Sequence, residues 1–203
     1  MATPPRRGTL TYTLLALAAL FVATALLTRA YRAERQQRAE MHFRSGQWLA
    51  GEGKNPEAAA EYRSALSYMH RDPRYRLALA LALYRMRNWA EAQAHLLELR
   101  NADPASGLTN LMLARLAAAG GRTEEAAQFY RSAIHGLWTE KPRENRIAAR
   151  FELIDLLLKT KKRKQALAQL LELAAEAPAG AALQRRMGGL FLQAGSPRDA
   201  ADA

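Results

Sequence analysis

The sequence predicts an all-α chain, in which an N-terminal single transmembrane helix precedes an α-solenoid of helical hairpins. Two observations carry this. Ala58, Ala92, Ala126, Ala166 and Ala200 sit early in amphipathic helices at intervals of 34, 34, 40 and 34 residues, the period of stacked helix-turn-helix units. Ahead of them, Gly8 to Thr28 is a run of 21 uncharged residues. As a helix rising 1.5 Å per residue it reaches roughly 30 Å, the thickness of a bilayer's hydrocarbon core.

Residues 1–8 form a short basic tail containing Arg6 and Arg7, and residues 9–28 the transmembrane helix. Tyr12 and Tyr31 lie near its two ends, where amphipathic rings are favoured, and arginines bracket the apolar run. A cleaved secretory signal has a similar layout. The apolar stretch exceeds a usual signal core, however, and Thr28-Arg29-Ala30 is a poor cleavage site, so an uncleaved anchor is expected. Ala16, Ala19 and Ala23 recur at helical spacing and form a small-residue face suited to packing against another membrane helix. Residues 29–38 continue as a basic juxtamembrane helix, whose Arg29, Arg32, Arg35 and Arg38 are expected to face anionic lipid headgroups.

The solenoid follows over residues 39–203, with units at 39–72, 73–106, 107–140, 147–180 and an incomplete 181–203. Its helices read as 36–51 and 56–69, 74–86 and 89–101, 107–119 and 123–134, 145–159 and 163–176, then 180–193 and a truncated 197–203. Turn signals fall at the breaks: Gly53-Lys54-Asn55-Pro56, Gly120-Gly121, Ala177-Pro178 and Gly195-Ser196-Pro197. The 40-residue interval places an insertion of six residues within Gly136 to Asn145. Trp138, inside it, is expected to wedge against neighbouring helices rather than to serve a partner.

In phase with the alanines run further apolar columns. Gly46, Ala80, Ala114, Ile154 and Gly188 precede them, with Leu49, Leu83, Ala117, Leu157 and Phe191 three places on. Tyr62, Leu96, Tyr130 and Leu170, then Ala65, Leu99, Ala133 and Leu173, follow. Pro104 and Pro178 close two units, where His70 and Trp138 stand in the first and third. This pattern of a small residue in the first helix and a small residue plus an aromatic in the second resembles the tetratricopeptide repeat family, over about four and two-thirds repeats. Each hairpin of such an array has an apolar face too small to be stable alone, so neighbours stack into one continuous core. The last unit stops partway through its second helix, which leaves two expectations: the polypeptide continues, or the apolar end meets another chain.

Charge and composition narrow the function. Of the net charge of +11, residues 1–38 carry +5. Five arginines follow the span within about 20 residues and two precede it, which by the positive-inside rule puts the repeats in the cytoplasm. The Arg-Arg leader instead has the layout of an export signal-anchor, so the repeats' side of a bacterial inner or plasma membrane stays open between cytoplasm and periplasm. A second basic cluster, Lys159, Lys161, Lys162, Arg163 and Lys164, lacks interleaved aromatics and does not read as a nucleic-acid site. Cysteine is absent, which excludes disulfides, thiolate zinc sites, c-type haem attachment and thiol catalysis within this sequence. His42, His70, His95 and His135 are scattered and form no helical ligand pair. No nucleophile elbow, phosphate loop or zinc-binding helix is present, so no enzyme activity, cofactor, metal site or small-molecule substrate is expected.

The resemblance implies a concave groove lined by the first helix of each unit. Its groove-facing columns select Glu40, Phe43 and Gln47; Arg74, Leu77, Leu81, Tyr84 and Arg85; Leu108, Leu111 and Arg115; Phe151 and Asp155; and Arg185. Such a surface, apolar at its centre with arginines around it, would suit a peptide with apolar anchors and acidic flanks. The Lys/Asn set with which some members grip a C-terminal carboxylate is not present. The expected function is a membrane-anchored adaptor whose partners are the lipid bilayer and other subunits of a membrane complex. The alternative is the anchoring half of a longer polypeptide whose C-terminal part carries an electron-carrier or cell-envelope activity. A weaker reading is a lipid-surface organiser.

Overall fold

The structure is a computed structural model that describes residues 7–176, 180–197 and 200, with side chains from Tyr12 onward. The expected Arg6, Pro178 and most of the final helix at 197–203 lie outside the described residues. Among those described, nine helices follow one another: α1 (Arg7–Gly51), α2 (Asn55–Tyr68), α3 (Pro73–Arg85), α4 (Trp89–Ala102), α5 (Gly107–Ala119), α6 (Thr123–His135), α7 (Pro142–Lys159), α8 (Arg163–Glu176) and α9 (Ala181–Ala194). The class is all-α. The expected anchor, juxtamembrane segment and first repeat helix are one unbroken 45-residue helix, α1.

The repeat is written into the backbone as well as the side chains. Gly53, Arg87, Gly121, Lys161 and Gly195 all have positive φ, between 60° and 87°. They follow one another at the same 34, 34, 40 and 34 spacing as the alanines. At each, the next residue's N–H reaches back five positions: Lys54 to Leu49, Asn88 to Leu83, Arg122 to Ala117, Lys162 to Leu157 and Ser196 to Phe191, at 2.8–3.0 Å. These are Schellman closures, in which a left-handed residue just past the helix satisfies its last carbonyls and turns the chain into the second helix of the hairpin. Glycine takes that conformation freely, whereas Arg87 and Lys161 hold it at a cost of about 1 kcal/mol each.

The chain divides into two compact units, Met1–Ala82 and Leu83–Ala203. In the first, the end of α1 packs along α2. Ala58, Ala59 and Ala65 have no exposed surface. A Cβ on Gly46 would lie 2.6 Å from the Tyr62 ring, so only glycine allows this approach. Phe43 sits between Tyr62 and Tyr75, with ring centroids 5.8 and 4.8 Å away. Upstream, every described side chain from Tyr12 to Glu34 is exposed. Nothing within the unit covers the leucines and Phe21 of that stretch.

In the second unit, α4 to α9 pack chiefly each against the next, the contact pattern of a solenoid. The predicted columns form its core: Ala92, Leu96, Ala114, Ala117, Ala126, Ala133, Ile154, Ala166 and Leu170 have no exposed surface. The insertion is ordered by specific bonds. Gly107 N–H donates to Leu137 O at 2.8 Å, Leu137 N–H to Ala105 O at 2.7 Å and Trp138 Nε1–H to Ala133 O at 2.9 Å. The indole lies against Gly107, where a Cβ would come within 2.4 Å of the ring. Trp138 is thus a packing residue. Part of the insertion also becomes helix, because α7 starts at Pro142 and not near residue 145.

Candidate functional site

The leading helices of the hairpins, α3, α5, α7 and α9 together with the end of α1, carry the predicted groove columns. Where a leading helix meets the next, three contacts share one offset, in which a residue touches the position three before its repeat equivalent. Arg115 corresponds to Asp155 but bonds Glu152, with Nε to Oε2 at 2.9 Å and Nη2 to Oε1 at 2.6 Å. Asp155 corresponds to Gly189 but faces Arg186, with Oδ2 and Nη2 3.5 Å apart. Phe43 corresponds to Leu77 but lies under Arg74, whose guanidinium carbon is 5.9 Å from the ring centre.

In the second unit Arg115 and Asp155 of the row are therefore charge-matched, by Glu152 and Arg186. Glu152 takes both the Arg115 fork and the Tyr130 hydroxyl, which donates to Oε2 at 3.1 Å. Leu111 and Phe151, expected as apolar anchors, are 5% and 3% exposed and belong to the core. The guanidinium of Arg186 covers the Phe151 ring at 3.9 Å. Arg115 is committed to Glu152. Hydrogen bonds from its fork hold the guanidinium more firmly protonated than usual, against the burial that works the other way. Tyr84 is half-buried, Arg85 exposed and Asp155 half-buried. Arg185 is exposed, its Nε donating to Ala181 O at 3.2 Å.

In the first unit, Phe43 is half-buried in its aromatic cluster, Gln47 exposed, and Leu77 and Leu81 half-buried. Arg74 is tied to Asp72 at 2.9 Å, and the Tyr75 hydroxyl donates to Glu40 at 3.1 Å. The basic juxtamembrane set also divides. Arg29 and Arg32 are exposed, but Arg35 donates to the carbonyls of Ser67 and Tyr68 at 3.2 and 2.6 Å, capping the end of α2. Arg38 pairs with Glu34 at 2.6 Å. Two of the four expected lipid-facing arginines thus serve the protein.

Burial first, then the neighbouring Glu152 carboxylate, pushes the Tyr130 phenol well above its ordinary value. A raised folded-state value makes this stabilising contribution complete below the unfolded phenol's value near 10 and loses it as pH climbs towards the folded one. At pH 11 the wild type is expected to have lost about 1.4 kcal/mol on this account. Tyr130→Phe should melt below wild type at pH 8, and the gap should narrow by that amount at pH 11. Calorimetric melts at the two values check it; a constant gap would contradict the assignment.

Sequence reasoning missed Glu152, Tyr130 and Arg186 as members of the row, although Glu152 and Arg186 each adjoin a chosen residue. Elsewhere, Lys162 of the second basic cluster pairs with Glu124, and its neighbours are a solvated turn. His42 Nδ1 lies 2.8 Å from Glu61. Among the described residues no group of three or more His, Cys, Asp or Glu is placed to hold a metal ion.

Comparison with known proteins agrees with this architecture. Residues 77–142 match the tetratricopeptide repeat model. That segment therefore carries tetratricopeptide repeats. No curated protein matches its sequence. Among solved structures it is similar to MamA from Desulfovibrio magneticus RS-1, at 11% identity and a TM-score of 0.64, covering 81% of this chain and 90% of that one. It is similar to YrrB, described as a TPR protein with an unusual peptide-binding site, at 18% identity and a TM-score of 0.60, covering 86% and 87%. PilF of Pseudomonas aeruginosa matches at 17% identity and a TM-score of 0.61, covering 82% and 76%. At these identities the likeness is one of fold.

Proposed function

We propose that the protein is a single-pass membrane adaptor, in which the first half of α1 spans the bilayer and the repeats bind other subunits of a membrane complex. The observation that carries it is the uncovered apolar run from Tyr12 to Thr28. Leu14, Leu15, Leu17, Leu20, Phe21, Leu26 and Leu27 are each more than 60% exposed on a helix long enough to cross a membrane. Water would penalise such a surface, at about 25 cal/mol per Å² of apolar area. The polar groups inside the run support the same reading. Thr24 Oγ1 donates to Leu20 and Phe21 carbonyls at 3.0 and 2.8 Å, and Thr28 Oγ1 to Thr24 O at 2.7 Å, so neither hydroxyl needs water. Ala16, Ala19 and Ala23 are the proposed contact with a partner's membrane helix. Arg29 and Arg32 are the proposed lipid contacts.

For the repeats, the proposed partner surfaces are the accessible residues of the predicted row, taken within each unit: Gln47, Leu77 and Leu81 in the first, and Tyr84, Arg85 and Arg185 in the second. One experiment tests both halves. Membranes are washed with carbonate, solubilised in a non-ionic detergent, and the tagged chain is isolated with its partners. Wild type is expected in the carbonate-resistant pellet with a stoichiometric partner, and Tyr84→Ala combined with Arg85→Glu in the same pellet with that partner depleted about tenfold or more. Undiminished partner recovery by the double variant would reject the row as the binding surface. A carbonate-soluble wild type would reject the anchor.

A further inference from the structure

The insertion lengthens the start of α7 and builds a cavity beside it. α5 begins at Gly107, so the 40-residue interval puts the equivalent start in the next hairpin at Ile147, yet α7 begins at Pro142. The extra turn carries Arg143 and Arg146, and Arg150 follows on the same helical face. Together they line a cavity of about 500 Å³ between the C-terminal ends of α6 and α8. Its apolar wall is Ile134, Ile147 and Leu173.

Two of the three guanidiniums are only lightly engaged. Arg146 Nη2 donates to Gly136 O at 3.3 Å and Arg143 Nη2 to Glu176 O at 3.4 Å, one N–H of five in each case. Arg150 is the anomaly: its side chain is 5% exposed, and its Nη1 has no hydrogen-bond partner among the described residues. The nearest anion is the Glu176 carboxylate, 3.2 Å away but out of line for a hydrogen bond, on a side chain that is itself 70% exposed. Glu172 stands 4.0 Å off. A buried guanidinium between two exposed carboxylates, with Nη1 hydrogen-bonded to neither, keeps an unmet donor that an in-line carboxylate would satisfy.

We propose that this cavity is a carboxylate-binding site for an acidic segment of a protein partner, with the ligand's carboxylate replacing Glu176 at Arg150 and an aliphatic neighbour on the Ile134–Ile147–Leu173 wall. Glu176 shows which group the cavity accepts, and the guanidinium fork fits a carboxylate in two-pronged fashion. Three arginines against the Glu176 and Glu172 carboxylates still leave one positive charge in surplus for the incoming group. The site rests on the reading of the array as a protein scaffold, but it lies on α6, α7 and α8 away from Tyr84 and Arg85. Its failure is therefore separable from loss of the partner in the Tyr84/Arg85 experiment.

The test is calorimetric titration of the full chain in non-ionic detergent. The probes are acetyl-Leu-Asp-Glu-Leu-amide, its Asn/Gln counterpart and inorganic phosphate. Saturable binding of the acidic peptide is expected, with the neutral peptide at least tenfold weaker. Arg146→Gln, at an exposed position, should weaken the acidic peptide about tenfold without altering the melt. Glu176→Gln should tighten it by removing the resident competitor, a gain that a purely structural ion pair would not give. Equal binding of the two peptides would overturn the proposal. So would phosphate displacing the acidic peptide at equal concentration, or no binding by either wild type or Glu176→Gln.

Discussion

Ala126→Trp is expected to lower the thermal midpoint of the repeat array by several degrees, while Gln128→Trp, two residues along the same helix, leaves it nearly unchanged. Ala126 has no exposed surface, and neither do its equivalents Ala58, Ala92 and Ala166. At this point the two helices of a hairpin approach so closely that the side chain must be a methyl group. An indole there forces side chains off their rotamers and separates the helices, at about 1–3 kcal/mol or more. For an array of this size each kcal/mol moves the midpoint by about 2–4 °C. Gln128 is exposed, where a substitution typically falls within about 0.5 kcal/mol. Because each hairpin is stabilised by its neighbours, the loss should spread from α6 to the ends of α5 and α7, visible as faster proteolysis between Gly121 and Pro142. Circular-dichroism melts of the two variants decide it, and identical curves would contradict the register.

That register was legible because its cause is local and repeated. Close helix approach demands alanine or glycine at one phase, and Gly46, Ala80, Ala114, Ala58, Ala92 and Ala126 advertise it in the sequence. The hairpin turns were half legible: Gly53, Gly121 and Gly195 mark the left-handed closure, but Arg87 and Lys161 do the same work with residues that carry no such signal. The early start of α7 was hidden because an inserted segment of six residues can become loop or helix, and Pro142 suits either a turn or a first helical position. The candidate site was harder still. Which face of a leading helix meets solvent depends on a rotation of one residue, about 100°, and that rotation separates the buried Leu111 and Phe151 from the exposed Arg85 and Arg185. The partners Glu152 and Arg186 follow from the inclination of neighbouring helices, a tertiary quantity that no window of sequence contains.

The largest expected effect is on the span. Leu17→Arg together with Leu20→Arg should transfer the protein from the carbonate-resistant pellet to the soluble or aggregated fraction. Both leucines are 62% exposed at the middle of the apolar run. Arginine at the centre of a membrane helix costs about 2.5–3.5 kcal/mol on the insertion scale, so the pair costs roughly 5–7 kcal/mol if the two add. That exceeds what snorkelling recovers for side chains so far from either end. Leu17→Val with Leu20→Val keeps the run apolar and should stay in the pellet, which separates hydropathy from any specific contact. Protease resistance of residues beyond Leu83 should be the same in all three proteins, since the second unit has its own core. Intact-mass measurement of the wild-type pellet completes the test: a mass including residues 1–28 fits a span, whereas a product beginning near Tyr31 would mean that the run is a signal removed from the mature chain. Retention of the double-arginine variant in the pellet would mean that membrane attachment lies elsewhere, in the exposed Arg29 and Arg32 or in a partner already bound.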